Sequence, residues 1–193
     1  MKSEKYKLIL ASNSPRRREL LAGLGIPFEV RVLGDIDEHY PADLPVSETA
    51  LYIASRKAEA YKSQIADDEL IITADTVVIV DDEILGKPVD EADAVRMLRQ
   101  LSGRTHQVTT GVCLLTATDE RRFDVTTDVT FKTLTDEEIQ YYVTHYKPFD
   151  KAGAYGIQEW IGYIGVTGLH GSYYNVMGLP VQRIYEYLKQ LSL

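Results

Sequence analysis

Leu70-Ile-Ile-Thr-Ala-Asp-Thr-Val-Val-Ile-Val80 is the stretch that decides the fold. So continuous a run of aliphatic, largely β-branched side chains belongs to a central β-strand covered on both faces. Asp75 and Thr76 interrupt it in the middle. A lone carboxylate inside a hydrophobic strand costs several kcal/mol unless it is paired, hydrogen-bonded or metal-bound. A kink or bulge that brings Asp75 to a cleft would resolve the conflict, and Asp75 is the residue most expected to do chemistry.

Upstream, Leu8-Ile-Leu-Ala-Ser-Asn-Ser-Pro-Arg-Arg-Arg-Glu-Leu-Leu-Ala-Gly-Leu-Gly25 reads as a short buried strand over residues 8–11 that turns into a helix. Ser14 takes the N-cap and Pro15 the first helical position. Leu20, Leu21 and Leu24 form one apolar stripe, and Gly25 supplies a left-handed stop. Arg16, Arg17 and Arg18 fall in the first turn, where the helix dipole disfavours each further cation by roughly 0.3–1 kcal/mol. A phosphate-type anion between the backbone N–H groups and the arginines removes that conflict; solvated arginines are the bland alternative. Adjacent side chains point about 100° apart on a helix, so the three cannot face one ligand, and Arg16 or Arg17 is the expected contact.

The remaining pattern is mixed. Residues 28–33 read as a strand, followed by the turn Gly34-Asp-Ile-Asp-Glu38. Its three carboxylates suit a hard cation such as Mg²⁺, or simply water. A helix from Ser47 puts Leu51, Ala54, Ala58 and Tyr61 on one face, with Arg56 and Lys57 beside them. A hairpin over Asp81-Asp-Glu83 leads to Ile84-Leu-Gly-Lys-Pro88, where Gly86 permits close backbone approach and Pro88 fixes the chain beyond Lys87. Asp90 caps a helix with the stripe Ala94, Met97, Leu98 and Leu101 that ends at Ser102-Gly103. Residues 105–117 and 123–133 read as two long strands joined by a charged turn. Thr135 and Glu138 form a capping box for a helix carrying Ile139, Tyr142 and Val143. Residues 153–178 hold seven of the thirteen glycines among Tyr155, Trp160, Tyr163, Tyr173 and Tyr174, a mix that predicts tight hairpins and backbone lining a ligand cleft. The amide of Gln158 is suited to reading a base edge. Pro180 opens a last helix with Val181, Ile184, Leu188 and Leu191 buried. The expectation is an α/β sheet with helices packed on it, over residues 1–193 as one domain without a linker.

Charge and composition exclude several classes. A net charge of −8 repels polyanions, so no nucleic-acid polymer is expected as a partner. A small anion can bind only where local Lys, Arg or a divalent metal overcomes that field. The longest apolar run is too short to cross a bilayer, and Met1-Lys-Ser-Glu-Lys5 has no signal-peptide core; a cytoplasmic protein with no membrane contact is expected. Cys113 is the only cysteine, which excludes an internal disulfide and any multi-cysteine zinc site. It reads as a small buried hydrophobe. His39, His106, His145 and His170 lack metal-ligand spacing. There is no P-loop, Rossmann glycine pattern or nucleophile elbow, and Ser12 and Ser14 are better explained by capping than by nucleophilic chemistry.

Six stretches taken together resemble the Maf family of nucleoside triphosphate pyrophosphatases: Leu10-Ala-Ser-Asn-Ser-Pro-Arg-Arg17, Ala74-Asp-Thr-Val-Val78, Gly86-Lys-Pro88, Leu101-Ser-Gly103, Lys151-Ala-Gly-Ala-Tyr-Gly-Ile-Gln158 and Gly171-Ser-Tyr-Tyr-Asn-Val-Met-Gly-Leu-Pro180. They run in the family's order and span nearly the whole chain. The resemblance implies an ITPase-like/Maf fold, a long twisted mixed sheet with flanking helices and two lobes around a nucleotide cleft. It also implies a divalent cation, Mg²⁺ or Mn²⁺, a homodimer, and cleavage of a nucleoside triphosphate to the monophosphate and pyrophosphate. Mapped by motif, Asp75 resembles the general base, with Glu38 the additional acidic residue beside the metal. Lys57 and Lys87 match phosphate-contacting lysines, and Arg16, Thr76 and Gln158 match specificity positions. Ser12 and Arg17 join the substrate-binding set through the first motif. Ala74-Asp-Thr76 is similar to the branch acting on dTTP and UTP; Ser-Asp-Gln there would point to 7-methyl-GTP. A nucleotide-binding regulator of cell division with little turnover is the rival implied by the same family.

Overall fold

A computed structural model describes residues 6–34 and 36–191; Asp35 of the acidic turn and the N-terminal segment read for a signal peptide lie outside them. The stretch that opened the sequence analysis forms β3, Glu69–Val80, with Leu70, Ile71, Ile72, Val78 and Val80 all buried. Six further strands join it: β1 Lys7–Leu10, β2 Phe28–Val30, β4 Glu83–Leu85, β5 Thr105–Leu115, β6 Glu120–Phe131 and β7 Val166–His170. They lie in one sheet of order β2-β1-β3-β5-β6-β7, with β4 also paired to β3. The sheet is mixed. β1 is parallel to β2 and β3, whereas β4 is antiparallel to β3 and β7 to β6. The helices are α1 Pro15–Ala22, α2 Thr49–Glu59, α3 Glu91–Leu101, α4 Asp136–Tyr146, α5 Trp160–Gly165, α6 Tyr173–Val176 and α7 Val181–Gln190. Among the described residues no helix is long and apolar enough to cross a membrane.

The chain divides into two compact units. One comprises the N-terminal part through Asp75, Thr110–Val125 and the chain from Gly178 onward; the other comprises Thr76–Thr109 and Thr126–Met177. The division falls inside β3, between Asp75 and Thr76.

In the first unit, Ile9, Ile71, Ala58, Tyr61, Cys113 and Leu115 pack together. Helix α2 lies directly on β5: a Cβ on Gly111 would stand 2.4 Å from backbone atoms of Ala50 and Leu51. The buried hydroxyl of Thr73 donates to the Ala54 carbonyl at 2.7 Å, tying β3 to the same helix. Cys113 is buried as expected, and its thiol donates to Glu120. In the second unit, Val78, Leu85, Leu98, Leu101, Phe131, Ile139, Tyr142 and Tyr155 form the core. The caps at Asp90 and the Thr135–Glu138 capping box are present as read. The hairpin between β3 and β4 turns on Asp81 and Asp82, both at positive φ, the geometry of a tight two-residue connection.

Several readings need correction. β3 is one continuous strand from Glu69 to Val80, and what sets Asp75 apart is the pairing at its edge. β1 pairs with β3 only over residues 69–72 and β4 only over 78–80, and Asp75 falls in the stretch bordered by neither. β2 stops at Val30 and not at residue 33, because the Tyr61 hydroxyl takes over the backbone: it accepts from Leu33 N–H at 3.0 Å and donates to the Arg31 carbonyl at 2.9 Å. α1 ends at Ala22; Gly25 is left-handed (φ 68°), but only after a further turn. α2 is preceded by a 3-10 turn over Val46–Glu48. β5 stops at Leu115, and β6 starts inside the turn read as charged. The Gly86 backbone is approached closely, its carbonyl accepting from Gly153 N–H at 3.0 Å, but the space a side chain would need is open at Gly86 and closed at Gly153, where a Cβ would meet Val78 at 2.9 Å. Residues 153–178 form α5, β7 and α6, not a series of hairpins. Their glycines serve packing: Gly162 lies so close to Ile157 that a Cβ would fall 1.8 Å from its carbonyl oxygen. Leu191, read as buried, is half-buried.

Candidate active site

In the first unit, β1 feeds α1 and then β2 on one side, while β3 lies on the other side of β1. That reversal of direction is a topological switch point, and ligands of α/β sheets bind outside the carboxyl ends of the strands there. The last β1–β3 bond runs from Ala11 N–H to the Ile72 carbonyl at 2.9 Å. Asp75 lies three residues further along β3, at the level where Ser12-Asn-Ser14 leaves β1 for α1.

Asp75 meets two other predicted residues there. Lys57, near the end of α2, places Nζ 2.9 Å from Asp75 Oδ1 and 2.9 Å from Glu38 Oε1. Lys57 and Asp75 keep only 14% and 16% of their side-chain exposure, enough shielding to make the pair stronger than one in bulk water. The adjacent Asp37 is bonded instead to His39, accepting from its backbone N–H at 3.0 Å and lying 2.6 Å from its Nδ1, which hold its carboxyl below the usual range. Of the described acids in this turn, Glu38 reaches the cluster.

The opening helix is built as read. Ser14 Oγ accepts from Arg17 N–H, and buried Ser12 Oγ accepts from Ser14 N–H at 3.2 Å. The arginines diverge. Arg18 donates to Asn13 at 3.2 Å, and Arg17 Nε donates to the Gly178 carbonyl at 2.8 Å. Burial pushes the Arg17 guanidinium below its ordinary value, with Asp75 and Glu38 pulling it back up and Arg16 pushing it further down. Arg17 therefore sits within the electrostatic reach of both acids.

The other predicted residues belong to the second unit. Thr76 is half-buried and Lys87 exposed just before buried Pro88. Gln158 is half-buried, and its Oε1 is shut from solvent with no hydrogen-bond partner. Sequence reasoning missed the groups around it. Tyr142 donates to Glu159, whose other oxygen lies 3.2 Å from Lys151 Nζ. Lys151 was visible inside a quoted motif, but nothing in the spacing linked it to positions 142 and 159.

The model of the family described as "Maf-like protein" matches residues 7–191. The chain belongs to the Maf family. This Maf chain is 62% identical over 188 residues, 97% of each chain, to a protein of Phocaeicola vulgatus named dTTP/UTP pyrophosphatase. It is 60% identical over 186 residues, 96% of each chain, to one of the same name from Parabacteroides distasonis. A namesake from Flavobacterium psychrophilum is 50% identical over 187 residues, 97% of this chain and 95% of that one. Among solved structures, the Maf chain is similar to the Ham1 protein of Staphylococcus aureus, at 15% identity and a TM-score of 0.48, over 95% of this chain and 98% of that one.

Among the described residues no three His, Cys, Asp or Glu side chains gather into a metal cage. Two carboxylates sharing one ammonium is still a fit donor set for a hard cation. Mg²⁺ is usually held by one or two carboxylates, with waters and substrate phosphates completing its shell.

Proposed function

We propose that this protein hydrolyses dTTP and UTP to the nucleoside monophosphate and pyrophosphate. The observation that carries the reading is Lys57 joined to both Glu38 and Asp75 at 2.9 Å, beyond the carboxyl end of β1. Relatives at 60–62% identity bear the matching name. In the proposed reaction, Asp75 takes a proton from water as its oxygen attacks the α-phosphorus. The bond from that phosphorus to the bridging oxygen breaks, and pyrophosphate leaves with the electron pair. Lys57 and Arg16 offset charge on the phosphates, where fixed cations matter most. Glu38 and Asp75 would hold Mg²⁺ or Mn²⁺, which would neutralise part of the triphosphate charge. Ser12 and Arg17 shape the phosphate end. Lys87 is assigned to the phosphates, and Thr76 and Gln158 to the base. From family likeness we also infer a homodimer in the cytosol, which light scattering and fractionation would check.

Comparing dTTP, UTP, CTP and 7-methyl-GTP side by side, with pyrophosphate and orthophosphate measured separately, tests the proposal. Pyrophosphate release, fastest with dTTP and UTP, is the expected result; orthophosphate alone would overturn it. Thr76 disfavours the 7-methyl-GTP reading. Tight dTTP binding without turnover at any metal concentration would mark a regulator instead.

A further inference from the structure

Gln158 sits inside a reverse turn, closed by Glu159 N–H donating to the Gly156 carbonyl at 3.0 Å. Both ends of that turn are tied to one phenol. Buried Tyr142 Oη accepts from Gly156 N–H at 3.0 Å and donates to the Glu159 carboxylate. Lys151 Nζ closes the circuit 3.2 Å from the other Glu159 oxygen, and the side chains of Lys151 and Glu159 pack against Gly156, where a Cβ would come within 3.1 Å of each. One residue before the turn, Tyr155 is fixed by its hydroxyl's 2.7 Å hydrogen bond to buried His106. The Tyr142 hydroxyl and the Glu159 carboxylate are thus both engaged in holding the turn, while the buried Oε1 of Gln158 has no donor. An unmet buried acceptor is costly, and persists where the surroundings over-determine it, often at a ligand site.

We propose that Tyr142, Glu159 and Lys151 are positioning residues that lock the Gln158 turn, and so set which base the site accepts. The inference rests on the assignment of Gln158 to the base under the proposed function. A buried Oε1 without a donor calls for one. Thymine and uracil offer an N–H at ring position 3, whereas cytosine carries a bare acceptor nitrogen there. A turn free to shift would let the amide reverse and pair with either ring. Rigid placement therefore converts one amide into discrimination.

The test pairs Glu159→Gln with Tyr142→Phe, each in the wild-type and the Gln158→Ala background, with steady-state kinetics for UTP and CTP. In the wild-type background each substitution is expected to raise KM for UTP about tenfold with kcat nearly unchanged, and to lower the UTP-over-CTP preference by a similar factor. In the Gln158→Ala background the same changes should move KM less than about twofold, because residues acting through a common partner are non-additive. Equal losses in both backgrounds, or unchanged preference in both variants, would overturn the proposal. A wild-type chain that cleaves neither dTTP nor UTP would sink the function on which it rests. Failure of the lock alone would leave wild-type turnover and the Gln158→Ala defect intact.

Discussion

Asp75 is the residue for which sequence and structure converge by different routes. An acid inside an aliphatic strand is anomalous on sight, and the anomaly is resolved by an ion pair with Lys57 where neither β1 nor β4 borders the strand. Asp75→Asn is nearly isosteric and removes the proposed proton acceptor. It should lower kcat by at least about 10³-fold, or ~4 kcal/mol of transition-state stabilisation, while dTTP binding followed by calorimetry largely survives. Unimpaired turnover would end the assignment. Lys57→Met leaves Glu38 and Asp75 without their shared cation and should cost about 10²–10³ in kcat with dTTP saturating. The choice between Asp37 and Glu38 was not legible in the sequence. Neighbouring acids in a loop differ only in where the backbone points them, and here His39 claims Asp37.

Local chemistry wrote most of the helices into the chain. The caps at Ser14, Asp90 and Thr135 all form as read, because an N-cap bond involves groups only a few residues apart. Ser14→Ala should cost about 1 kcal/mol in urea unfolding, without moving the helix. Strand ends were harder. β2 yields after Val30 because Tyr61, 31 positions later, captures the next backbone groups. Gly111 shows the same dependence on distant partners. Inside β5 it reads as a weak strand residue, yet α2 rests on it. Gly111→Ala would press a methyl into the helix backbone and should destabilise by about 3 kcal/mol or more, measured as a fall in urea midpoint at constant m-value.

Taken as a whole, the fold holds a histidine out of water at 2% exposure, and that sets how its stability responds to acid. Burial lowers the His106 pKa from 6.5 to about 4. Between those values the unfolded chain binds a proton that the native chain refuses, so stability is full above about pH 6.5 and declines as pH falls towards 4, by up to about 3 kcal/mol. Thermal unfolding from pH 7.5 to 4.5 should show this decline, and His106→Phe should flatten it. Glu120, held at about 2 chiefly by Arg122, acts only in a lower window, its contribution lost as pH falls below about 4.5. By itself, the order of residues determined the central strand, the capped helices, the acid at position 75 and the motifs of the Maf family, all signals carried by neighbours along the chain. Only tertiary structure decided that Lys57 joins Glu38 to Asp75, that residues 153–178 fold as short helices and a strand, and that Tyr142 and Lys151 meet at Glu159. Those pairings join positions 8 to 19 residues apart or depend on close packing of glycines, and no local periodicity encodes them.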